Sequence, residues 1–207
     1  MKTLHMYIDE AGRWPLAWPL AVGIIIPIKK LQSNQIQDFK DSKKLSESQR
    51  ENLLKKIQEM EKKKLILTKV SYASVKEIDK LWMTKAQALA IERWIKEICQ
   101  LKKEKTKLFL HLDGNRDFWL QKTHPEWEIE TIIKGDDKVK EISMASIIAK
   151  VNRDHLMNEL PKRYQKYGFE QHKGYGTKMH REKIKEFWPC DLHRKLFLRK
   201  ILPTVST

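Results

Sequence analysis

Four carboxylates, Asp9, Glu10, Asp113 and Asp136, are the side chains of this sequence whose types and placement could do chemistry. Asp9 and Glu10 stand side by side in "YIDEAGR" behind a short apolar run. Asp113 closes "KLFLHLD", and Asp136 follows "EIETIIKG". Each falls at or just beyond the end of a segment that reads as a strand, which is where an α/β sheet carries its site. Taken singly, an aspartate at a strand end most often caps a turn. Taken together, four acids in one pocket repel and raise one another's pKa unless divalent cations sit among them. Oxygen donors without cysteine or paired histidine suit Mg2+ or Mn2+ rather than zinc. Two such ions roughly 4 Å apart can activate a water and stabilise the leaving oxygen of a phosphodiester. The chemistry expected of the set is hydrolysis of a nucleic-acid backbone.

For the acids to meet, the strands that carry them must be neighbours. Residues 4 to 8 and 20 to 28 are short apolar runs separated by Gly and Pro, which predicts two strands joined by a turn, with Asp9 and Glu10 where the first ends. Ser46 can cap a helix in which Leu53, Leu54, Ile57 and Met60 recur at helical spacing through about residue 62. A strand over 64 to 70 follows. A long helix is then expected over about 83 to 103, with Ala86, Leu89, Ala90, Trp94, Ile95 and Ile98 on one face. Residues 107 to 115 read as a strand turned by Gly114-Asn115, and a loop rich in Trp and Pro leads to another strand over 128 to 133. Residues 141 to 154 are helical, and the remainder is a loop around "HKGYGT" with one or two basic helices. This order predicts an α/β domain with a mixed central sheet flanked by helices, and nothing in it splits the chain of 207 residues.

Composition agrees with the expected substrate. Lys and Arg number 42 against 27 Asp and Glu, a net charge of +15 that attracts a polyanion, of which nucleic acid is the commonest. Two cysteines, Cys99 and Cys190, make no disulfide framework and suit the cytoplasm. The N-terminus meets acids too early for a signal peptide. The longest uncharged apolar stretch, 16 to 28, holds two prolines and is too short to span a bilayer. A cytoplasmic monomer without membrane contact is expected.

Seven blocks, "IDEAGR", "DSKKLS", "LDGN", "KGD", "ASIIAKVNRD", "HKGYGT" and "HRKLF", run in order from residue 8 to residue 197, and this ordered set resembles ribonuclease HII. The resemblance implies a ribonuclease H-like fold over residues 1 to 207, with 160 to 207 forming a C-terminal helical substrate-binding part. It implies cleavage of the phosphodiester 5′ of a ribonucleotide, in RNA–DNA hybrids and at single ribonucleotides in duplex DNA, with Mg2+ or Mn2+ as cofactor. Carried over by position, the family's metal-binding acids fall on Asp9, Glu10, Asp113 and Asp136. Its junction-sensing segment falls on Gly12, Arg13 and Trp14, where close backbone approach can reach the ribose 2′-hydroxyl. Lys43 matches a phosphate-binding lysine, and Tyr175 a tyrosine that stacks on the sugar of the following deoxynucleotide. His172 and His193 fit the blocks as structural residues.

Tryptophans depart from the pattern. Trp14 and Trp18 occupy two glycine positions of the family's "GRGPLAGP", and Trp188 a third, before "HR". Glycine numbers only 7, as does tryptophan, so the two together make up the glycine share of about 7% usual for a globular chain. The pattern reads as glycine codons written as tryptophan. An indole at position 14 is expected to obstruct the 2′-hydroxyl site, and this favours an alternative function, a catalytically impaired nucleic-acid-binding relative of the same fold.

Overall fold

The structure, a computed structural model, describes residues 3–39, 45–101, 106–160, 162–199 and 201–202. Its elements in chain order are β1 (Thr3–Ala11), β2 (Leu20–Pro27), α1 (Ser33–Ile36), α2 (Glu47–Lys62), β3 (Ile66–Ala73), α3 (Val75–Leu101), β4 (Lys107–Asp113), α4 (Leu120–Thr123), β5 (Glu128–Ile132), α5 (Gly135–Lys138) and α6 (Lys140–Asn158). A 3-10 turn at Lys162–Tyr167 and three helices, α7 (Phe169–His172), α8 (Lys178–Phe187) and α9 (Lys195–Leu198), complete the chain. None of the helices among the described residues is long and apolar enough to cross a membrane.

The strands form one mixed sheet in the order β3-β2-β1-β4-β5. β3, β2 and β1 pair antiparallel, while β1, β4 and β5 pair parallel. β1 is therefore central, and the parallel register Ile8↔Leu112 sets Asp9 beside Asp113 at the C-terminal ends of neighbouring strands. Alternation of side chains divides the core between two faces. Met6, Ile8, Val22, Ile24 and Leu110 pack against α3 through Ala86, Ala90, Ile91 and Ile95. On the opposite face Ile25 meets α2 and α6 through Leu54, Ile57, Met144 and Ile148. Each fully buried aliphatic side chain here contributes about 1.5–3 kcal/mol. α6 lies close on the sheet because residue 23 is glycine: a Cβ there would come within 2.1 Å of the Ala145 carbonyl oxygen. A larger residue would push the helix, and with it Ser146, away from Asp9.

Three elements differ from the sequence reading. β1 runs through Ala11, so Asp9 and Glu10 lie inside the strand, paired across the ladder with Gly23 and Val22, because the antiparallel pairing with β2 continues past them. α3 begins eight residues earlier than expected, at Val75. Ser74 and Glu77 cap its start, the Glu77 amide donating to Ser74 Oγ and the Ser74 amide to Glu77 Oε2. It breaks at Trp82, whose φ of 67° and ψ of 158° are not helical. Residues 116 to 127, read as a loop, include α4 and send Phe118, Leu120 and Trp127 into the α3-side core.

Candidate active site

The adjacent acids of β1 serve opposite faces of the sheet. Asp9 is buried on the α6 side, where the Ser146 hydroxyl hydrogen-bonds it and the Glu10 amide donates to its Oδ1 at 2.7 Å. Glu10 turns toward α3, and Gln87 Nε2 donates to its Oε2 at 2.9 Å. Gln87 Oε1 in turn accepts from Arg13 at 2.5 Å, and Arg13 stands 3.9 Å from Glu10. Asp113 ends β4, its Oδ1 accepting the Gly135 amide at 2.7 Å. That bond fixes the start of α5 against the strand end and brings buried Asp136 inward.

Carboxylate oxygens of Asp9, Asp113 and Asp136 all lie within 4.8 Å of one another. Burial, then the charges of Glu10 and Asp113, hold the Asp9 carboxyl well above the usual carboxylate range. Three converging oxygen donors, one with its carboxyl pKa raised by burial and by its neighbours' charges, fit a hard divalent cation, which relieves the repulsion.

The cleft beside them, about 230 Å³, is lined by Asp9, Glu10, Asp113, Gly12, Arg13, Trp14 and Tyr175. Eight of the nine residues singled out from sequence thus meet at one place: these seven and Asp136, buried behind them. Lys43, the ninth, lies outside the described residues.

Two buried arginines shape the segment from 12 to 19. Arg194 donates to the carbonyls of Gly12 at 2.7 Å, Pro15 at 2.9 Å, Trp18 at 2.8 Å and Arg13 at 3.2 Å. Arg153, on α6, donates to Ala17, Pro19 and Lys173 carbonyls and lies over the Tyr175 ring. Burial and the neighbouring Arg153 charge draw the Arg194 guanidinium down to about 9, so it remains positive at neutral pH. Gly12 has a φ of 88°, and a Cβ would meet Arg153 Nε at 2.1 Å, so both backbone and space require glycine. Leu16 donates its amide to the Gly174 carbonyl at 2.8 Å, which docks the "HKGYGT" loop on this segment.

His172 and His193 are buried and do not line the acid cleft. His172 stacks on His180 with ring centroids 4.1 Å apart, and His180 Nε2 lies 3.1 Å from His193 Nε2. Sequence reasoning missed Ser146, Gln87, Arg153 and Arg194. Ser146 and Arg153, seven apart on one helical face, carried a spacing signal inside "ASIIAKVNRD", and Arg194 stands in the block "HRKLF"; Gln87 carried none.

The sequence profile described as Ribonuclease HII matches residues 6–200. Ribonuclease HII of Fusobacterium nucleatum is 44% identical over 200 residues, covering 95% of this chain and 86% of that protein. The crystal structure of ribonuclease H2 from Pyrococcus horikoshii superposes with a TM-score of 0.72 at 26% identity, over 98% of this chain and 99% of that one. Ribonuclease HII in its complex with PCNA from Archaeoglobus fulgidus gives 0.69 at 25% identity, over 92% and 93%. The mixed sheet with its flanking helices is accordingly the ribonuclease H-like fold. With a profile match over nearly its whole length and close relatives at this identity, the chain belongs to the ribonuclease HII family, divalent-metal-dependent type 2 ribonuclease H endoribonucleases that act on RNA-containing nucleic acid.

Proposed function

We propose that this chain cuts the phosphodiester on the 5′ side of a ribonucleotide, both within RNA–DNA hybrids and at single ribonucleotides in duplex DNA, leaving a 5′-phosphate. The observation that carries the reading is the convergence of Asp9, Asp113 and Asp136 within 4.8 Å, beside the segment Gly12 to Trp14. Asp9, Asp113 and Asp136, with Glu10 adjacent, hold Mg2+ or Mn2+. Bound there, two such ions supply Lewis acidity and charge neutralisation for in-line displacement at phosphorus. The protein's own groups do the rest. Arg194 and Arg153 fix the carbonyls of residues 12 to 19, so the backbone of Gly12, Arg13 and residue 14 is presented to the ribose 2′-hydroxyl without reorganisation. Arg13 is oriented by Gln87, which also sets Glu10. Tyr175, positioned by Arg153, stacks on the following deoxyribose, and Lys43 takes a phosphate. The helical segment 160 to 207 completes the substrate-binding surface, and the protein works as a cytoplasmic monomer.

One observation favours the alternative of a binding protein with impaired catalysis: Trp14 is the most exposed of the large apolar side chains described and stands in the cleft. End-mapping of products from a duplex with one ribonucleotide and from an RNA–DNA hybrid tests the proposal. Metal-dependent cuts 5′ of the ribonucleotide are expected. Binding to both duplexes without any cut supports the alternative.

A further inference from the structure

The seven tryptophans fall into two groups. Trp94 and Trp127 are 5% and 8% exposed, pack in the α3-side core, and Trp127 stacks on His124 at 3.8 Å. The other five behave otherwise. Trp18, Trp82, Trp119 and Trp188 have φ values of 79°, 67°, 65° and 60°. A bulky side chain at positive φ is an outlier, because Cβ crowds the carbonyl oxygen, and only a few per cent of non-glycine residues go there. Trp82 and Trp188 go further: ψ values of 158° and 163° place them in a region essentially reserved for glycine. The four other non-glycine residues at positive φ among the described residues, Lys64, Phe118, Lys134 and Lys173, stay between 48° and 57°.

The side chains agree with the backbones. Trp14, Trp82, Trp119 and Trp188 are 55–74% exposed and form half of the large exposed apolar residues described. Trp18 is partly buried, yet its indole Nε1 is the buried side-chain nitrogen left without a hydrogen-bond partner among the described residues. None of the five indoles does what a tryptophan is kept for, filling a core with its N–H satisfied. Trp14 is not among the residues at positive φ; it is 74% exposed and lines the acid cleft.

We infer that the functional chain carries glycine at 14, 18, 82, 119 and 188, and tryptophan only at 94 and 127. The gene reads UGA as glycine, and the five tryptophans are the other meaning of that codon. Glycine at 82 relieves the break in α3, glycine at 119 and 188 suits the helix ends where they stand, and glycine at 18 removes the orphaned indole N–H. Glycine at 14 opens the cleft beside Asp9 and Asp113. Five additions to seven glycines bring the content close to the ordinary share.

The inference rests on backbone geometry at four of the five positions and on exposure beside the cleft at Trp14, and a melting experiment separates it from the cleavage reading. The chain with all five Trp→Gly substitutions is compared with the tryptophan chain and with Trp94→Gly. The five-glycine chain melts higher, on the order of 10 °C, and cuts a single-ribonucleotide duplex at least about tenfold faster, whereas Trp94→Gly melts lower. Equal or lower melting of the five-glycine chain overturns the inference, whatever the cleavage assay gives. At the level of the gene, UGA at all five positions with UGG at 94 and 127 supports it, and UGG at any of the five overturns it.

Discussion

Asp9 and Glu10 are neighbours in sequence that work on opposite faces of one strand, and the difference sets their chemistry. Asp9 sits under α6 with a carboxyl raised by burial and by the charges of Glu10 and Asp113, while Glu10 is held at the α3 side by Gln87. A carboxyl whose folded pKa lies above its unfolded value contributes stability at low pH and loses it as pH rises through the folded pKa. Without metal, the ionised cluster thus destabilises the neutral-pH protein. Asp9→Asn, whose amide oxygen can still accept the Glu10 amide, should raise Tm in chelator at pH 7.5 by about 3–6 °C and lose the stabilisation that Mg2+ or Mn2+ gives the parent. Differential scanning fluorimetry with and without metal checks both; an Asn variant no more stable in chelator would remove the repulsion argument. Tyr175→Ala should lower cleavage at a single ribonucleotide more than it lowers binding, since its proposed role is to position the sugar rather than to neutralise phosphate. The acids were legible in the sequence because, although one aspartate at a strand end most often caps a turn, four carboxylates carried by neighbouring strands repel unless cations sit among them. The roles of Arg153 and Arg194 were not, because their blocks marked their positions but two guanidinium groups among 42 cationic residues do not show that they are buried, nor which carbonyls they collect.

The segment from 12 to 19 has no regular structure of its own, and its shape comes from the elements around it. Arg194, just before α9, and Arg153, on α6, satisfy carbonyls that would otherwise be buried without partners. Arg194→Lys keeps the charge but not the planar fork. It should cost about 2–4 kcal/mol, lowering Tm by roughly 5–12 °C, and should reduce discrimination between ribo- and deoxynucleotide substrates. The histidine stack ties α7 and α8 to the turn before α9. Burial, then His172, pulls His180 down to about 4, and burial, then His180, pulls His193 down to about 3. Their mutual bond needs at least one neutral ring. Folded pKa values below the unfolded 6.5 mean that this stability is present above pH 6.5 and is lost as pH falls toward 3–4, at about 1.4 kcal/mol per pH unit for each ring. Denaturant titrations at pH 7 and pH 5 check this; equal stability at both would contradict it. Of the elements, those with strong periodicity were legible, including α2 and α6. The first turns of α3 were missed although Ser74 and Glu77 spell a capping box, since the glycine-like backbone at Trp82 interrupts the apolar pattern. The stretch 116 to 127 was read as a loop because Phe118, Leu120 and Trp127 reach the core without a regular period.

The whole molecule combines a charge of +15, which attracts polyanions, with one small acidic cluster that repels them until cations are held there. Affinity and turnover should therefore separate. Binding to an RNA–DNA hybrid should weaken by about 10³-fold between 50 and 200 mM salt, with the same slope in parent and acid variants, because the phosphate contacts are unchanged. The most direct test of the account is single-turnover cleavage of a duplex carrying one ribonucleotide, with binding measured alongside, for the parent, Asp9→Asn and Asp113→Asn, each with either tryptophan or glycine at the five positions. The account predicts that each acid variant binds within a few-fold of its parent and cleaves at least about 10²-fold more slowly, and that chelator abolishes parental cleavage. Near-parental turnover in either acid variant, or cleavage that persists in chelator, would contradict it.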